Sequence, residues 1–390
     1  MKIFFIITIA ILSFPVFSIV QNNFLTPIGG IEGITANTGI ARTNSVGNVI
    51  FNPAGLAQID THKVSVSGSA FSQNYIDVTI GDEKEKIEYF QTTPSQITTA
   101  YSGNRFKFAM SLLVPKVSKF KNSFDVGNKQ SEISYEDQET YIGPTMAFKL
   151  NNKFSIGGSA FLIKRDFSKD ELLFITEDSD TAQRFYKLNI TGFSLVGILG
   201  SSFKPKENLH FGLKIQTPKL NLHSTYDSKV FFISTKDDVT PTSRFQDGKA
   251  SFKGPAEIGF GVKYDFSPKM TILFDGAYQI KHFDLMVQSD VIGGRAFHDY
   301  QNAVRAHLAF EYEISPKETY TLGLTYNEKN EISSLSFLGA TVGYRMRENV
   351  ADTMFGIFVN KSIPETKDNV ETNYLMAGFY LSSSINFVKN

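Results

Sequence analysis

Ala256-Glu257-Ile258-Gly259-Phe260-Gly261-Val262-Lys263-Tyr264-Asp265-Phe266 places an apolar or aromatic side chain at every even position and a polar or small one at every odd position. A period of two gives an extended chain one greasy face and one polar face, so the stretch reads as a β-strand. The alternation recurs at Phe106, Phe108, Met110, Leu112, Val114 and at Leu209, Phe211, Leu213, Ile215. It recurs again at Tyr320, Leu322, Leu324, Tyr326 and at Leu338, Ala340, Val342, Tyr344, Met346. Segments of this kind begin near Lys63, Ser95, Arg105, Glu139, Phe154, Arg184, Leu209, Phe252, Met270, Asn302, Thr319, Leu335, Ala351 and Glu371, which predicts an all-β chain of fourteen strands.

The connections alternate in length. Ser102-Gly103-Asn104, Asn151-Asn152-Lys153, Lys204 to Asn208, Ser267-Pro268-Lys269 and Ser315-Pro316-Lys317 are short, and the stretches near 76–94, 118–138, 167–183, 227–251 and 287–301 are long. An even strand count with short turns on one side and long loops on the other predicts a 14-stranded antiparallel transmembrane β-barrel spanning 63–390. A soluble β-sandwich would also alternate, but many segments run about ten residues or more, the length a tilted strand needs to cross a bilayer. Tyr75, Tyr101, Tyr141, Tyr226, Tyr264, Tyr312, Tyr326 and Tyr344 lie near strand ends, where an interfacial girdle is expected. The chain contains no Trp, so Tyr and Phe must supply that girdle.

At the N-terminus, Lys2 precedes an apolar run from Ile3 to Phe17, then Ser18 and the polar Gln21-Asn22-Asn23. The run is short for a membrane span and holds Pro15, so residues 1–18 are expected to be a signal peptide. Sec-type export to a bacterial outer membrane follows, with outer-membrane lipids and the barrel assembly machinery as partners and a monomer as the expected state. Lys plus Arg and Asp plus Glu both count 39, which removes any bulk electrostatic case for nucleic acid. With no cysteine, disulfides, thiolate metal sites and a lipidated N-terminal cysteine are excluded. The longest charge-free stretches beyond the leader, Thr43–Ile59 and Thr372–Val388, are broken by Asn, Ser or Pro, so no helical span is expected.

Residues 19–62 are expected to form a segment distinct from the barrel, and within it 29–60 do not alternate. They are small and glycine-rich, and contain Gly47-Asn48-Val49-Ile50-Phe51-Asn52-Pro53-Ala54-Gly55-Leu56. Pro53 fixes φ, Asn52 can turn the chain, and Ala54-Gly55 permits close backbone approach, so a rigid corner is expected. The Gly47, Asn48, Asn52, Pro53, Ala54, Gly55 pattern resembles the hatch of the FadL/TodX family of outer-membrane transporters for hydrophobic compounds. Phe106–Pro115 followed by a long loop, Leu150 to Gly158, and Gly254 to Val262 running into Ser267-Pro268-Lys269 are similar to strands of that family. The resemblance covers nearly the whole chain. It implies an N-terminal plug inside the lumen, capture of ligand on an apolar groove among the outer loops, an inner pocket, and sideways exit beside a kinked third strand.

No enzymatic constellation emerges. The histidines at 62, 210, 223, 282, 298 and 307 lack metal-ligand spacing, and no nucleophile elbow or phosphate loop is present, so neither catalytic residues nor cofactor nor metal is expected. Strand parity puts Phe161, Ile163 and Arg165 in the lumen, with Arg305 and Lys281 near its outer end. A cation beside apolar lumen residues suits an amphiphile with a carboxylate head. Pairing with acidic residues such as Asp275 or Glu311 is the alternative. Leu172, Leu173, Phe174 and Val230, Phe231, Phe232 are apolar where loops should be polar, which suggests a capture surface. Pro115 and Pro144 remove ladder hydrogen bonds, and so either open a lateral gate or end a strand. The expectation is passive uptake of hydrophobic small molecules, long-chain fatty acids first and monoaromatic hydrocarbons second. A secretion-associated or structural barrel and a general diffusion pore are the alternatives.

Overall fold

The computed structural model describes residues 26–387 except 81–82, 127–128, 178–179, 236–240, 290–293, 332–334 and 368–369. The signal-peptide expectation falls outside these residues. The strands are β1 (His62–Ile80), β2 (Glu83–Ser102), β3 (Phe106–Val126), β4 (Lys129–Lys149), β5 (Phe154–Glu177), β6 (Asp180–Lys206), β7 (Leu209–Gln216), β8 (Leu220–Ser234), β9 (Thr242–Lys249) and β10 (Glu257–Ser267). After them come β11 (Met270–Gln279), β12 (His282–Ser289), β13 (Gly294–Tyr300), β14 (Ala303–Ser315), β15 (Glu318–Asn327), β16 (Phe337–Arg347), β17 (Ala351–Ser362), β18 (Glu365–Lys367) and β19 (Val370–Phe387).

All but β12 and β13 join one antiparallel sheet, which closes where β1 pairs with β19 from His62↔Phe387 to Ile80↔Val370. β8 continues β7 along β6, β9 and β10 follow one another along the opposite side, and β18 continues β17 along β19. The wall therefore has fourteen strand positions, the expected number. Short turns at one end are held by side chains that mimic backbone: Asn151 Oδ1 accepts from the Lys153 and Phe154 amides at 2.8 Å, and Ser267 Oγ accepts from the amides of Lys269 and Met270.

The period-two pattern sorts the faces as expected. Ile156, Leu162, Leu199, Ile258, Phe260, Phe274, Leu322, Val342 and Leu381 are exposed on the outside, while Ser155, Phe161, Asp275, Thr321 and Ser382 are buried inside. A continuous apolar exterior on a closed barrel is a surface for lipid, not water. Exposed Tyr101, Phe148, Phe203, Tyr264, Phe266, Tyr312, Tyr320 and Phe387 ring the short-turn end. Tyr141 and Tyr226 do not join a girdle: both are buried, because their parity points them inward.

The wall is uneven in height. β3, β4, β5 and β6 run 21, 21, 24 and 27 residues, against 11, 10, 13, 10 and 11 for β10, β11, β14, β15 and β16. The long loops expected near 118–138 and 167–183 are thus mostly strand. Leu172, Leu173 and Phe174 lie in β5 and Val230, Phe231 and Phe232 in β8, and both flank β6, where Leu172, Phe185 and Phe231 stand in one cross-strand row. Continuing the ladder satisfies backbone groups that a loop would leave to water, which is why these apolar residues are ordered in sheet.

Residues 26–61 lie within the barrel and are almost wholly buried. They form α1 (Ile31–Ile34), α2 (Asn48–Phe51) and a 3-10 turn at Pro53–Gln58. The sequence corner at Asn52-Pro53 is built as follows. Asn52 Nδ2 donates to the Ile40 and Ser201 carbonyls at 2.6 and 2.9 Å, and its Oδ1 accepts from the Ala54 amide at 3.2 Å. Asn48 Nδ2 donates to the Arg42 carbonyl, and Gly55 must be glycine because a Cβ there would stand 2.5 Å from that same oxygen. On the wall, Gly157 leaves room for the corner: a Cβ would sit 2.6 Å from the Pro53 carbonyl carbon.

Candidate functional site

The N-terminal segment meets the wall through two unlike flanks. Toward β2–β6, Val46, Val49, Ile50, Phe51, Leu56, Ala57 and Ile59 form one buried apolar cluster with Ala100, Leu113, Tyr141, Phe161, Ile163, Val196 and Ile198. The polar contacts on this flank are neutral: Ser159 Oγ donates to the Val49 carbonyl at 2.7 Å, Ser155 Oγ to Ala54 at 3.0 Å, and Gln96 Nε2 to Val46 at 3.1 Å. Toward β11–β16 charges dominate. Asp275 Oδ2 accepts from the amides of Gly39 and Ile40 at 2.6 and 2.8 Å, and the Arg42 guanidinium donates to Glu311 at 2.5 Å. Thr321 and Thr341 both donate to the Ile34 carbonyl, at 2.8 and 3.1 Å.

On the apolar flank the wall itself is interrupted. The β2–β3 ladder runs from Ser102↔Lys107 to Gln96↔Leu113 and stops there, although both strands continue. Val114 and Pro115 form a bulge against β4, because pairing shifts between Leu113↔Tyr141 and Lys116↔Glu139. On the other rim, β2 carries Pro94 and is itself bulged against β1. A proline on each rim lacks the donor that would continue the ladder. Pro144 lies one strand further on, where β4–β5 pairing lapses between Ile142↔Leu162 and Thr145↔Ser159 without changing register. Pro94 went unnoticed in the sequence. Its signal was a proline inside an alternating segment.

Phe161 and Ile163 occupy the lumen beside this interruption, 0% and 2% exposed. Above them Arg165 is gripped by Asp137, with Nε and Nη2 donating at 2.8 and 2.7 Å, and its Nη2 lies 3.0 Å from His298 Nε2. Lys116 pairs with Asp137 at 2.7 Å, Lys219 with Glu139 at 2.6 Å, and His298 Nδ1 faces Glu331 at 3.0 Å. Arg305 and Lys214 share Glu257. Each of these cations therefore already holds a carboxylate partner, as the alternative reading had it, but Asp275 and Glu311, the acids it offered as examples, instead hold the N-terminal segment. Lys281 is not part of the strand that was expected to carry it: β11 ends at Gln279, and Lys281 is exposed beyond it.

The acids Asp137, Glu139 and Glu331 and the lysines Lys116 and Lys219 escaped the sequence reading. Asp137 and Glu139 share parity with Tyr141 on β4, so extending that strand upward would have placed them inside. Among the described residues no group of His, Asp and Glu could hold a metal ion.

A closed fourteen-strand antiparallel barrel with an apolar exterior and a lumen filled by its own N-terminal segment is the architecture of an outer-membrane-type β-barrel. More narrowly, the fold is that of the FadL/TodX channels. The Pseudomonas putida toluene transporter TodX superposes with a TM-score of 0.71 at 14% identity, covering 94% of this chain and 100% of that one. The Ralstonia pickettii toluene transporter TbuX gives 0.68 at 14% identity, covering 93% and 99%, and a Pseudomonas aeruginosa FadL homologue gives 0.69 at 12%, covering 94% and 99%. No protein-family model and no curated protein matches the sequence.

Proposed function

We propose that this chain sits in a bacterial outer membrane, short turns toward the periplasm, and carries uncharged hydrophobic small molecules inward down their own gradient. The N-terminal segment acts as the hatch. Ligand reaches the apolar cluster around Phe161 and Ile163 and leaves sideways between β2 and β3 into the bilayer. The observation that carries this reading is the end of the β2–β3 ladder at Gln96↔Leu113, directly beside that cluster. A pathway into lipid needs an apolar pocket that meets a gap in the hydrogen-bonded wall.

The ion pairs favour uncharged ligands over long-chain fatty acids. Receiving a carboxylate at Arg165 would require breaking its two bonds to Asp137 and leaving that buried acid with one partner fewer, a large cost. The capture surface for such compounds is proposed on the β5–β6–β8 extension, where Leu172, Phe174, Phe185 and Phe231 share its outer face. TodX and TbuX are described as toluene transporters, which accords with this choice.

The test uses the cysteine-free background. Cysteines placed at Ser95 and Val114 would be bridged by a short cross-linker, and uptake of radiolabelled toluene and of palmitate compared in a strain lacking its own transporters. Expression should raise toluene uptake more than palmitate uptake, and bridging should abolish the gain. Uptake that never exceeds the empty strain, or that survives bridging, overturns the proposal.

A further inference from the structure

The wall has a second irregular stretch, on the side away from β2 and β3. β7 pairs with β10 up to Gln216↔Glu257, and β8 pairs with β9 from Thr225↔Lys249 upward. Between these ladders, residues 250–256 run as a strap with one isolated bridge, Lys219↔Gly254. Side chains replace the missing ladder. Asn221 Oδ1 accepts from the Phe252 amide at 3.2 Å, Ser194 Oγ donates to the Phe252 carbonyl at 2.7 Å, and Asp284 accepts from Ser251 Oγ and the Lys253 amide, both at 2.7 Å. A strand was expected to start near Phe252. Pro218 and Pro255 help explain why regular pairing waits until Glu257.

The strap turns Phe252 inward, where it is 3% exposed and packed with Leu188, Ile190, Tyr226, Met286 and Val287. Its ring lies over the Arg165 guanidinium, 4.4 Å from carbon to ring centroid. Room for the ring is provided by Gly192 on β6: a Cβ there would stand 2.5 Å from Phe252 Cδ2. Arg165 is held edge-on by Asp137 and His298, so its plane is fixed while a face is offered to the ring. With its charge matched by Asp137, that face attracts a π-system without calling for an anion.

The geometry points to a binding seat for a neutral aromatic ring on the face of Arg165, occupied in this structure by the chain's own Phe252. Release of the strap vacates the seat, and a ligand ring takes the place of Phe252. This rests on the reading of the lumen as a path for uncharged hydrophobic compounds, and names the ring as the group selected. A saturated molecule of the same shape would gain the apolar walls but not the cation–π contact.

The test is equilibrium binding to the detergent-purified full chain, using naphthalene by its own fluorescence and its saturated counterpart decalin by displacement. Phe252→Ala should tighten naphthalene about tenfold while shifting decalin by less than about twofold. Phe252→Leu refills the seat and should change neither. Gly192→Ala keeps Phe252 but crowds it off the seat, and should move naphthalene in the same direction as Phe252→Ala. Heat-modifiable gel mobility checks that each variant is folded. Equal tightening of both compounds means a plain apolar hole and overturns the seat, as does no tightening in folded Phe252→Ala. Selective binding by Phe252→Ala in a chain that shows no uptake would sink the transport reading alone. Uptake blocked by bridging, with no selectivity, would sink the seat alone.

Discussion

The two flanks of the N-terminal segment are held by different physics. Toward β2–β6 it rests on an apolar cluster with neutral hydroxyl and amide donors, and toward β11–β16 it is bound by Asp275, by the Arg42–Glu311 pair and by two threonines sharing one carbonyl. Apolar contacts are non-directional and can be exchanged for contacts with an apolar ligand at little cost. Charge-assisted bonds are directional and have no such substitute. The difference assigns an anchored side and a yielding side, and the yielding side faces the wall interruption.

The strongest way to break this comparison is to remove an anchor. Asp275→Ala leaves the Gly39 and Ile40 amides buried without their acceptor, and should loosen the segment by about 3 kcal/mol. Hydrogen exchange over residues 26–60 should accelerate, and liposome swelling should register entry of small sugars. Exchange as slow as in the unmutated protein would mean that the charged flank is not the anchor.

On the yielding side, Gly157→Ala pushes a methyl group into the Pro53 backbone, and should cost about 2 kcal/mol as the corner shifts. Faster protease cutting near Pro53 with unchanged exchange at Gly39 and Ile40 would sharpen the distinction. Loosening that spreads to Gly39 would erase it. The smallest effect is expected for Thr321→Val, about 1 kcal/mol, since Thr341 still donates to the Ile34 carbonyl. Removing both hydroxyls should exceed twice the single effect, because the carbonyl then loses both threonine donors, and the thermal midpoint of each variant measures this.

Strand parity made the barrel legible. Because side chains alternate strictly, the face of Phe161, Ile163 and Arg165 could be read from neighbouring Leu162 alone. What a strand carries on one face says nothing of its partner across the lumen, so His298, 133 positions from Arg165, was not identifiable, whereas Asp137, 28 positions away on the neighbouring β4, was hidden because that strand was expected to begin only near Glu139. Extent was also hidden. Leu172-Leu173-Phe174 read as an apolar loop because the expected strand stopped at the bilayer, whereas β5 continues to Glu177 wherever β4 and β6 continue beside it. The Asn52-Pro53 corner was legible as a turn, but its bond to Ser201 depends on a strand far along the chain.

The seam between β1 and β19 has a consequence in time. It joins His62 to Phe387, in the first and last strands of the chain's sheet, and it is among the longest ladders in the molecule. Pairing across such a sequence separation carries a high loop-closure entropy and comes late. Until then β1 offers a bare edge to any strand it meets, an open invitation to aggregate. No shorter run of these strands closes on itself, so the nascent sheet must be kept open and shielded until Phe387 arrives beside His62.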